Sequence, residues 1–483
     1  MAGVLGTGGV RRTTEEATTL NPQSTNSFIT REHPDYVRQR EMWHRYRDLY
    51  AGGEQFKTNA SRYLTPRHKE PAEVYYERLN SVFYENYAGS IIDWYAATLL
   101  RREPALTFDG SDRSRDFFNG FVEDCDLNGT SVSDFFRQRF IDALVGGRSH
   151  VLIDFPRAQA SPENRAEEDA LGLSRAYLVG YSAEQLINWS LDSKGGYEWV
   201  VLRTTGLRES ESADREWVTR TQWAYYDKEH FRIYEQIGSD GTATGITLLA
   251  EGRHGLAKLR RVPLINLNVG EGLWLMNRSA LLQMEHFNKS NALSWALSMG
   301  LFASPVVYSD KPFNQIMGES YYIQLAPGDR FGWTEPTGNV YQIAADNLSR
   351  LQQEIYRVCY LSQAGGEMAG NGAQSGLSKQ RDFAITQEVL RSYGDLIKDV
   401  MKRILRWVAD AREDAVQIDV SGLDEFDIGD FSTDVADAQQ LLNVGVDSPT
   451  LRKQIYTRLA LKYLCDIRQD IKDQIVREID AQK

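Results

Sequence analysis

Apolar positions along this chain recur in two rhythms, and the places where the rhythm changes divide it into modules. Tyr36, Met42, Trp43, Tyr46 and Leu49 predict a helix from His33 to about Leu49 with a mixed polar face. After the proline-bounded basic loop Tyr63-Leu-Thr-Pro-Arg-His-Lys-Glu-Pro71, a wide stripe of Tyr75, Leu79, Val82, Phe83, Tyr87, Ile91, Tyr95 and Leu99 predicts one long helix over 72–101. A second helical period covers 111–145, carried by Phe117, Phe118, Phe121, Phe135, Phe136, Phe140 and Leu144. Ser149-His-Val-Leu-Ile-Asp-Phe155 has the β-branched run of a buried strand, ended by Pro156.

From about 175 to 267 the rhythm changes to alternation. Strands are predicted at 176–181, 197–202, 216–219, 221–226, 230–234 and 245–249, and short Gly, Asp and Ser turns between them make a small antiparallel sheet. Helical period returns over 277–300, roughly 36 Å of helix at 1.5 Å per residue. Residues 302–345 are irregular, with β segments at 305–308 and 321–325, and Leu348, Leu351, Ile355 and Val358 mark a shorter helix. Residues 362–376 hold too much glycine for regular structure. A long helix follows over 378–411, with Phe383, Val389, Tyr393, Ile397, Val400, Ile404 and Val408 on one face. An acidic link over 419–437 leads to a last helical module with Ser448 as cap and Pro449 in its first turn. The first thirty or so residues carry no apolar period and read as an extended arm. The expected fold class is α+β, mainly helical.

Composition narrows the possibilities. With 483 residues, 42% of them hydrophobic, the chain has material for a large core. No apolar run approaches the roughly 20 residues that span a bilayer. The opening residues lack the basic lead and apolar stretch of a signal peptide, so the expected compartment is the cytoplasm. Cys125, Cys359 and Cys465 are widely spaced and odd in number, which argues for buried thiols and against a disulfide framework or zinc module. A formal charge of −12 is opposite in sign to the footprint of a protein that grips nucleic acid tightly. A surface that DNA must slide past, however, benefits from repelling phosphates.

Catalytic chemistry finds no foothold. The glycine-rich stretch is not a phosphate loop, because Gly376 is followed by Leu377, Ser378 and Lys379 without the required Gly-Lys-Ser/Thr spacing. The seven histidines (33, 44, 68, 150, 230, 254 and 286) never fall at metal-ligand spacing, there is no HExxH, and no GxSxG nucleophile elbow occurs. The acidic run 424–430 lacks calcium-loop spacing and reads as a solvated connector. Aromatic stripes without a basic groove read as core and not as base-stacking platforms. No catalytic residue, metal or cofactor is expected.

The order of modules resembles that of tailed-bacteriophage portal proteins. Local words carry the resemblance to one uncharacterised branch of that family: Tyr63-Leu-Thr-Pro-Arg-His-Lys-Glu-Pro71, Tyr76-Glu-Arg-Leu79, Phe83, Leu100-Arg-Arg-Glu-Pro104 and Gln374-Ser-Gly-Leu-Ser-Lys379. It spans about 33–430, leaving the arm and the C-terminal module matched by position only.

The resemblance implies an arm at 1–32, a wing at 33–276, stem helices at 277–300 and 347–361 with a clip at 301–346 between them, a tunnel loop at 362–377, a long wing helix at 378–415 and a crown at 416–483. It further implies a structural, non-enzymatic virion protein of the head-tail connector. Twelve copies would form a ring at one capsid vertex and pass double-stranded DNA during packaging and ejection. Expected partners are the terminase large subunit, a head completion (adaptor) protein, and the major capsid and scaffolding proteins; no membrane is involved. Asp310, Lys311, Gln315 and Glu319 would serve docking on the clip. Glu367, Asn371, Gln374, Lys379 and Arg381 would face DNA in or beside the tunnel loop, and Arg350 and Arg357 would line the stem channel or pair with acidic residues of a neighbouring stem. Two other readings stay open on sequence: another ring-forming virion connector, and a soluble enzyme with a glycine-rich lid.

Overall fold

The computed structural model describes residues 27–156, 172, 174–209, 216–238, 245–300, 304–309, 325, 327–334, 338–361, 376–424, 438–443, 448–463 and 469–481. It is a mixed α and β fold, in agreement with the expected class. Helix α1 (Pro34–Ala51) starts where His33 accepts a hydrogen bond from the Asp35 N–H at 3.1 Å and Pro34 occupies the first turn. A short α2 (Gly53–Asn59) follows it.

The single helix predicted over 72–101 is two, α3 (Ala72–Asn80) and α4 (Tyr87–Leu99). The apolar period continues through the break, but Asn86 intervenes as a cap. Its Oδ1 accepts from Gly89 N at 2.9 Å while its Nδ2 donates to Tyr50 O at 2.8 Å. A Cβ at Gly89 would overlap the Asn86 amide, so glycine there makes room for the cap. Strand β1 (Ala105–Gly110) comes next.

The period over 111–145 is likewise divided, into α5 (Asp112–Glu123) and α6 (Val132–Gly146), each with its own serine cap. Ser111 accepts from Ser114 N at 3.2 Å and Ser131 from Asp134 N at 3.1 Å. Between them Asp126 Oδ1 gathers the N–H groups of Asn128 and Thr130.

Strand β2 (Arg148–Asp154) is the centre of a three-stranded antiparallel sheet, flanked by β3 (Tyr177–Ser182) and β9 (Leu264–Asn268). A five-stranded meander is formed by β4 (Leu186–Leu191), β5 (Tyr197–Glu209), β6 (Trp217–Asp227), β7 (His230–Ile237) and β8 (Thr247–Arg253). The two strands predicted at 216–219 and 221–226 are one, because Arg220 stays in register between Gly206 and Ile237. Strands β1, β4 and β9 were not anticipated from the sequence.

The meander is covered on both faces. On one, Leu186, Val200, Leu202, Tyr226 and Phe231 pack with Leu152 and Leu264 of the three-stranded sheet. On the other, Val201, Trp223 and Tyr234 pack with Ile29 and with Tyr36 and Trp43 of α1.

Helix α7 (Leu275–Gly300) leads to a two-stranded antiparallel hairpin, β10 (Ser304–Tyr308) with β11 (Arg330–Thr334), and α8 (Gly338–Val358) returns from it. The second of these helices begins well before residue 347, since Val340, Ala344 and Leu348 extend its apolar stripe. The predicted β segment at 321–325 lies outside the described residues except Leu325, and the glycine-rich stretch lies outside them up to Ser375.

Helix α9 (Gly376–Arg412) is 37 residues long and crosses the main core, burying Leu390, Tyr393, Ile397, Met401, Ile404 and Val408. Strand β12 (Val416–Ser421), placed by order at the start of the crown, pairs along its whole length with β1. Gly394 admits this return: a Cβ there would overlap the Leu423 carbonyl oxygen. Two further helices, α10 (Pro449–Tyr463) and α11 (Gln469–Ala481), close the described chain, and Ser448 caps the first by accepting from Leu451 N at 3.3 Å. Cys125 and Cys359 are buried free thiols, each pushed up to about 12 by burial; Cys465 lies outside the described residues.

Candidate functional site

The antiparallel pair α7 and α8 is the element on which the functional expectations converge. Its register is set by Lys289 Nζ donating to Asn347 Oδ1 at 3.0 Å and by Tyr341 OH donating to the Ala296 carbonyl at 3.2 Å. At about 1.5 Å per residue α7 is roughly 39 Å long.

The half nearest the core is embedded. Leu275, Met276, Ala280 and Phe287 are buried in the main cluster, as are Ile355 and Cys359 at the end of α8. Polar side chains of α7 then bind backbone on neighbouring segments. Gln283 donates to Glu85 O at 2.7 Å and accepts from Ala88 N at 3.1 Å. Asn288 donates to Tyr63 O at 3.1 Å and accepts from Thr65 N at 2.8 Å. Asn291 donates to Phe83 O at 2.9 Å and accepts from Phe83 N at 3.1 Å. Each amide binds one backbone donor and one backbone acceptor, so the 63–65 segment and the 83–88 segment are both fixed to one helix.

Where α8 ends, its last carbonyls are taken by side chains from three different helices. Arg278 Nε of α7 donates to Val358 O at 2.6 Å, Tyr95 OH of α4 to Cys359 O at 2.7 Å, and Thr386 Oγ1 of α9 to Tyr360 O at 2.6 Å. Tyr360 itself holds a left-handed backbone at φ 60, donates its hydroxyl to Gly272 O at 2.7 Å, and lies under the Arg278 guanidinium at 4.5 Å. Tyr393 OH donates to Leu273 O. Burial holds the hydroxyls of Tyr95 and Tyr393 well above the usual phenol range, so both remain donors. The chain therefore enters the glycine-rich stretch at Leu361 from a fixed point, and Thr386 of the helix that follows the stretch binds that same point.

The outer half of the pair contrasts with this. No residue in 291–298 or 339–350 is buried, and Leu297, Val340 (63% exposed) and Ile343 (60% exposed) face outward at matching levels of the two helices.

Of the residues singled out from the sequence, Arg350 and Arg357 are exposed on α8. Arg357 Nη2 pairs with Glu354 of its own helix at 2.8 Å, which holds the Glu354 carboxyl below its ordinary value. The backbone of Lys379 and Arg381 lies in the first turns of α9, but their side chains are outside the described set. Asp310, Lys311, Gln315, Glu319, Glu367, Asn371 and Gln374 also lie outside the described residues.

Sequence reasoning missed Arg278, Gln283, Asn288, Asn291, Tyr95 and Thr386. The available signal was polarity within an otherwise apolar helix face, as at Gln283 between Ala280 and Phe287. Among the described residues no three His, Cys, Asp or Glu side chains converge as a cation site, and no helix is long and apolar enough to cross a membrane.

No protein family matches the sequence, and no curated protein does. The chain is similar to a chain of a solved structure described as "Neck of empty GTA particle computed with C6 symmetry", with a TM-score of 0.39 and 11% identity over 77% of this chain and 90% of that one. It is also similar to a chain of the "Virion of native gene transfer agent (GTA) particle", with a TM-score of 0.37 and 11% identity over 81% of this chain and 95% of that one.

Proposed function

We propose that this protein is a portal-type subunit: a non-enzymatic virion component that assembles into a ring at one capsid vertex and lets double-stranded DNA pass through its centre. The observation that carries the reading is the two-sided character of the α7–α8 pair. Its inner half is locked into the core by the amide ladder and the Tyr95, Arg278 and Thr386 bonds. Its outer half has no third layer among the described residues and exposes apolar side chains. A two-helix hairpin without a buried core gains little by itself, and identical neighbours set side by side supply the missing surface. The element order agrees: helix, β hairpin, helix, glycine-rich stretch, long helix.

In this reading the pair is the stem, the segment between the helices is the clip where the terminase large subunit and later the adaptor protein dock, and residues 362–377 form the tunnel loop that narrows the channel. The negative charge of the chain disfavours phosphate adhesion wherever it faces the lumen, which keeps DNA free to slide. Arg350 and Arg357 stand on the exposed side of α8 as guiding charges.

Mass photometry and negative-stain imaging of the purified chain test the proposal. The expected result is a ring, twelve-membered, with a central hole. A species that stays monomeric at all concentrations and salt conditions overturns it.

A further inference from the structure

The loop between α2 and α3 is a rigid cationic projection on an acidic molecule. Thr65, Pro66, Arg67, His68 and Lys69 are all exposed, yet the backbone beneath them is held at several points. Glu70 Oε2 accepts from Arg67 N at 3.0 Å and Glu70 N donates to Arg67 O at 3.1 Å, which closes a turn. The other Glu70 oxygen pairs at 3.2 Å with Arg78, whose side chain is buried and whose Nη2 donates to Thr65 O at 3.1 Å. Asn288 fastens the loop's near end to α7. Lys69 takes a left-handed backbone at φ 62, a conformation a lysine adopts only where its surroundings impose it.

The one acid in the loop is thus turned inward and used up as a staple. Neither Arg67 nor Lys69 has an ion-pair partner among the described residues. Ordering this turn leaves its cations preorganised, so a polyanion meeting them does not bear the cost of fixing the loop.

We infer that the turn Arg67-His68-Lys69 is a contact site for the phosphodiester backbone of duplex DNA, separate from the glycine-rich stretch. Protein partners are bound through an apolar, often aromatic centre. Here five consecutive exposed residues offer none, and Tyr76 stands a turn into the next helix. Phosphate contacts need only positioned charge and backbone donors, without reading sequence. The choice of duplex DNA as the polyanion rests on the portal reading.

The test is fluorescence anisotropy with a labelled 30-base-pair duplex of arbitrary sequence, comparing the full chain with Arg67→Glu/Lys69→Glu and with the milder Arg67→Gln/Lys69→Gln. Both pairs change exposed side chains and leave Glu70 and Arg78 in place, and circular dichroism checks the fold. At low salt, charge reversal is expected to weaken binding at least about tenfold, and the Gln pair to flatten the dependence of log affinity on log salt by about two. Equal affinity and equal slope in all three proteins overturns the inference. So does unchanged DNA affinity with lost self-association, which assigns the turn to an acidic face of a second copy. Particle size on the same samples keeps the two readings apart: a ring that fails the binding test overturns the turn alone, whereas a monomer whose DNA binding falls on charge reversal supports the turn and overturns the portal reading.

Discussion

The two halves of the α7–α8 pair share helix type and direction but not their means of support. Toward the core, Phe287, Ile355 and Cys359 are buried, and amide and guanidinium side chains bind the backbone of the 63–65 and 83–88 segments and of the end of α8. Away from the core, Val340 and Ile343 are more than half exposed, and Lys289 and Tyr341 bond across the pair itself. The inner half is stabilised by its own chain, and in the proposed ring the outer half is completed by a neighbouring copy. Stability and assembly should therefore respond to different substitutions.

The largest expected effect on stability is Phe287→Ala, which empties a site packed against Phe56 and Tyr84 and should cost about 3–5 kcal/mol in urea unfolding of the dissociated chain. A value under about 1 kcal/mol would mean the inner half is not held by packing. Gln283→Ala leaves Ala88 N without an acceptor and takes one of two donors from Glu85 O, an expected loss of about 1–3 kcal/mol in the same measurement.

Acidification should also act through the inner, buried regions. His150, in the central strand β2, is wholly enclosed, and burial pushes its imidazole down to about 3 against an ordinary 6.5. The unfolded chain takes up that proton first, so the contribution is complete above about pH 6.5. It is lost as pH falls from there toward 3, at up to about 1.4 kcal/mol per pH unit. His150→Gln should flatten the stability profile between pH 6.5 and 5, read by chemical unfolding at each pH.

The smallest effect on stability belongs to Val340→Glu/Ile343→Glu, within about 0.5 kcal/mol because both positions are more than half exposed. The same pair should abolish rings in mass photometry. Intact rings with both glutamates in place would break the distinction between the halves.

Much of this architecture is legible as periodicity. The helices over 34–51, 275–300 and 376–412 and most strands of the meander follow from apolar spacing, and Ser448 with Pro449 is a cap readable from two residues. The breaks at Asn86 and Ser131 were missed because the apolar period runs on through both, and capping depends on which backbone groups are free nearby. Strands β1 and β12 were missed for a different reason. They are short, more than 300 residues apart in sequence, and stabilised by one another.

The amino-acid sequence by itself determined the order of modules, the negative charge, the position of the glycine-rich stretch and the proline-bounded basic loop, since these depend on local spacing and composition. Only the tertiary structure decided that Gln283, Asn288 and Asn291 bind two separate segments, that the last carbonyls of α8 are shared among α4, α7 and α9, and that Glu70 is turned inward so that Arg67 and Lys69 stand without a counter-charge among the described residues. Those outcomes rest on hydrogen bonds between residues far apart in the chain, and a linear pattern does not specify which distant backbone group will be left needing a partner.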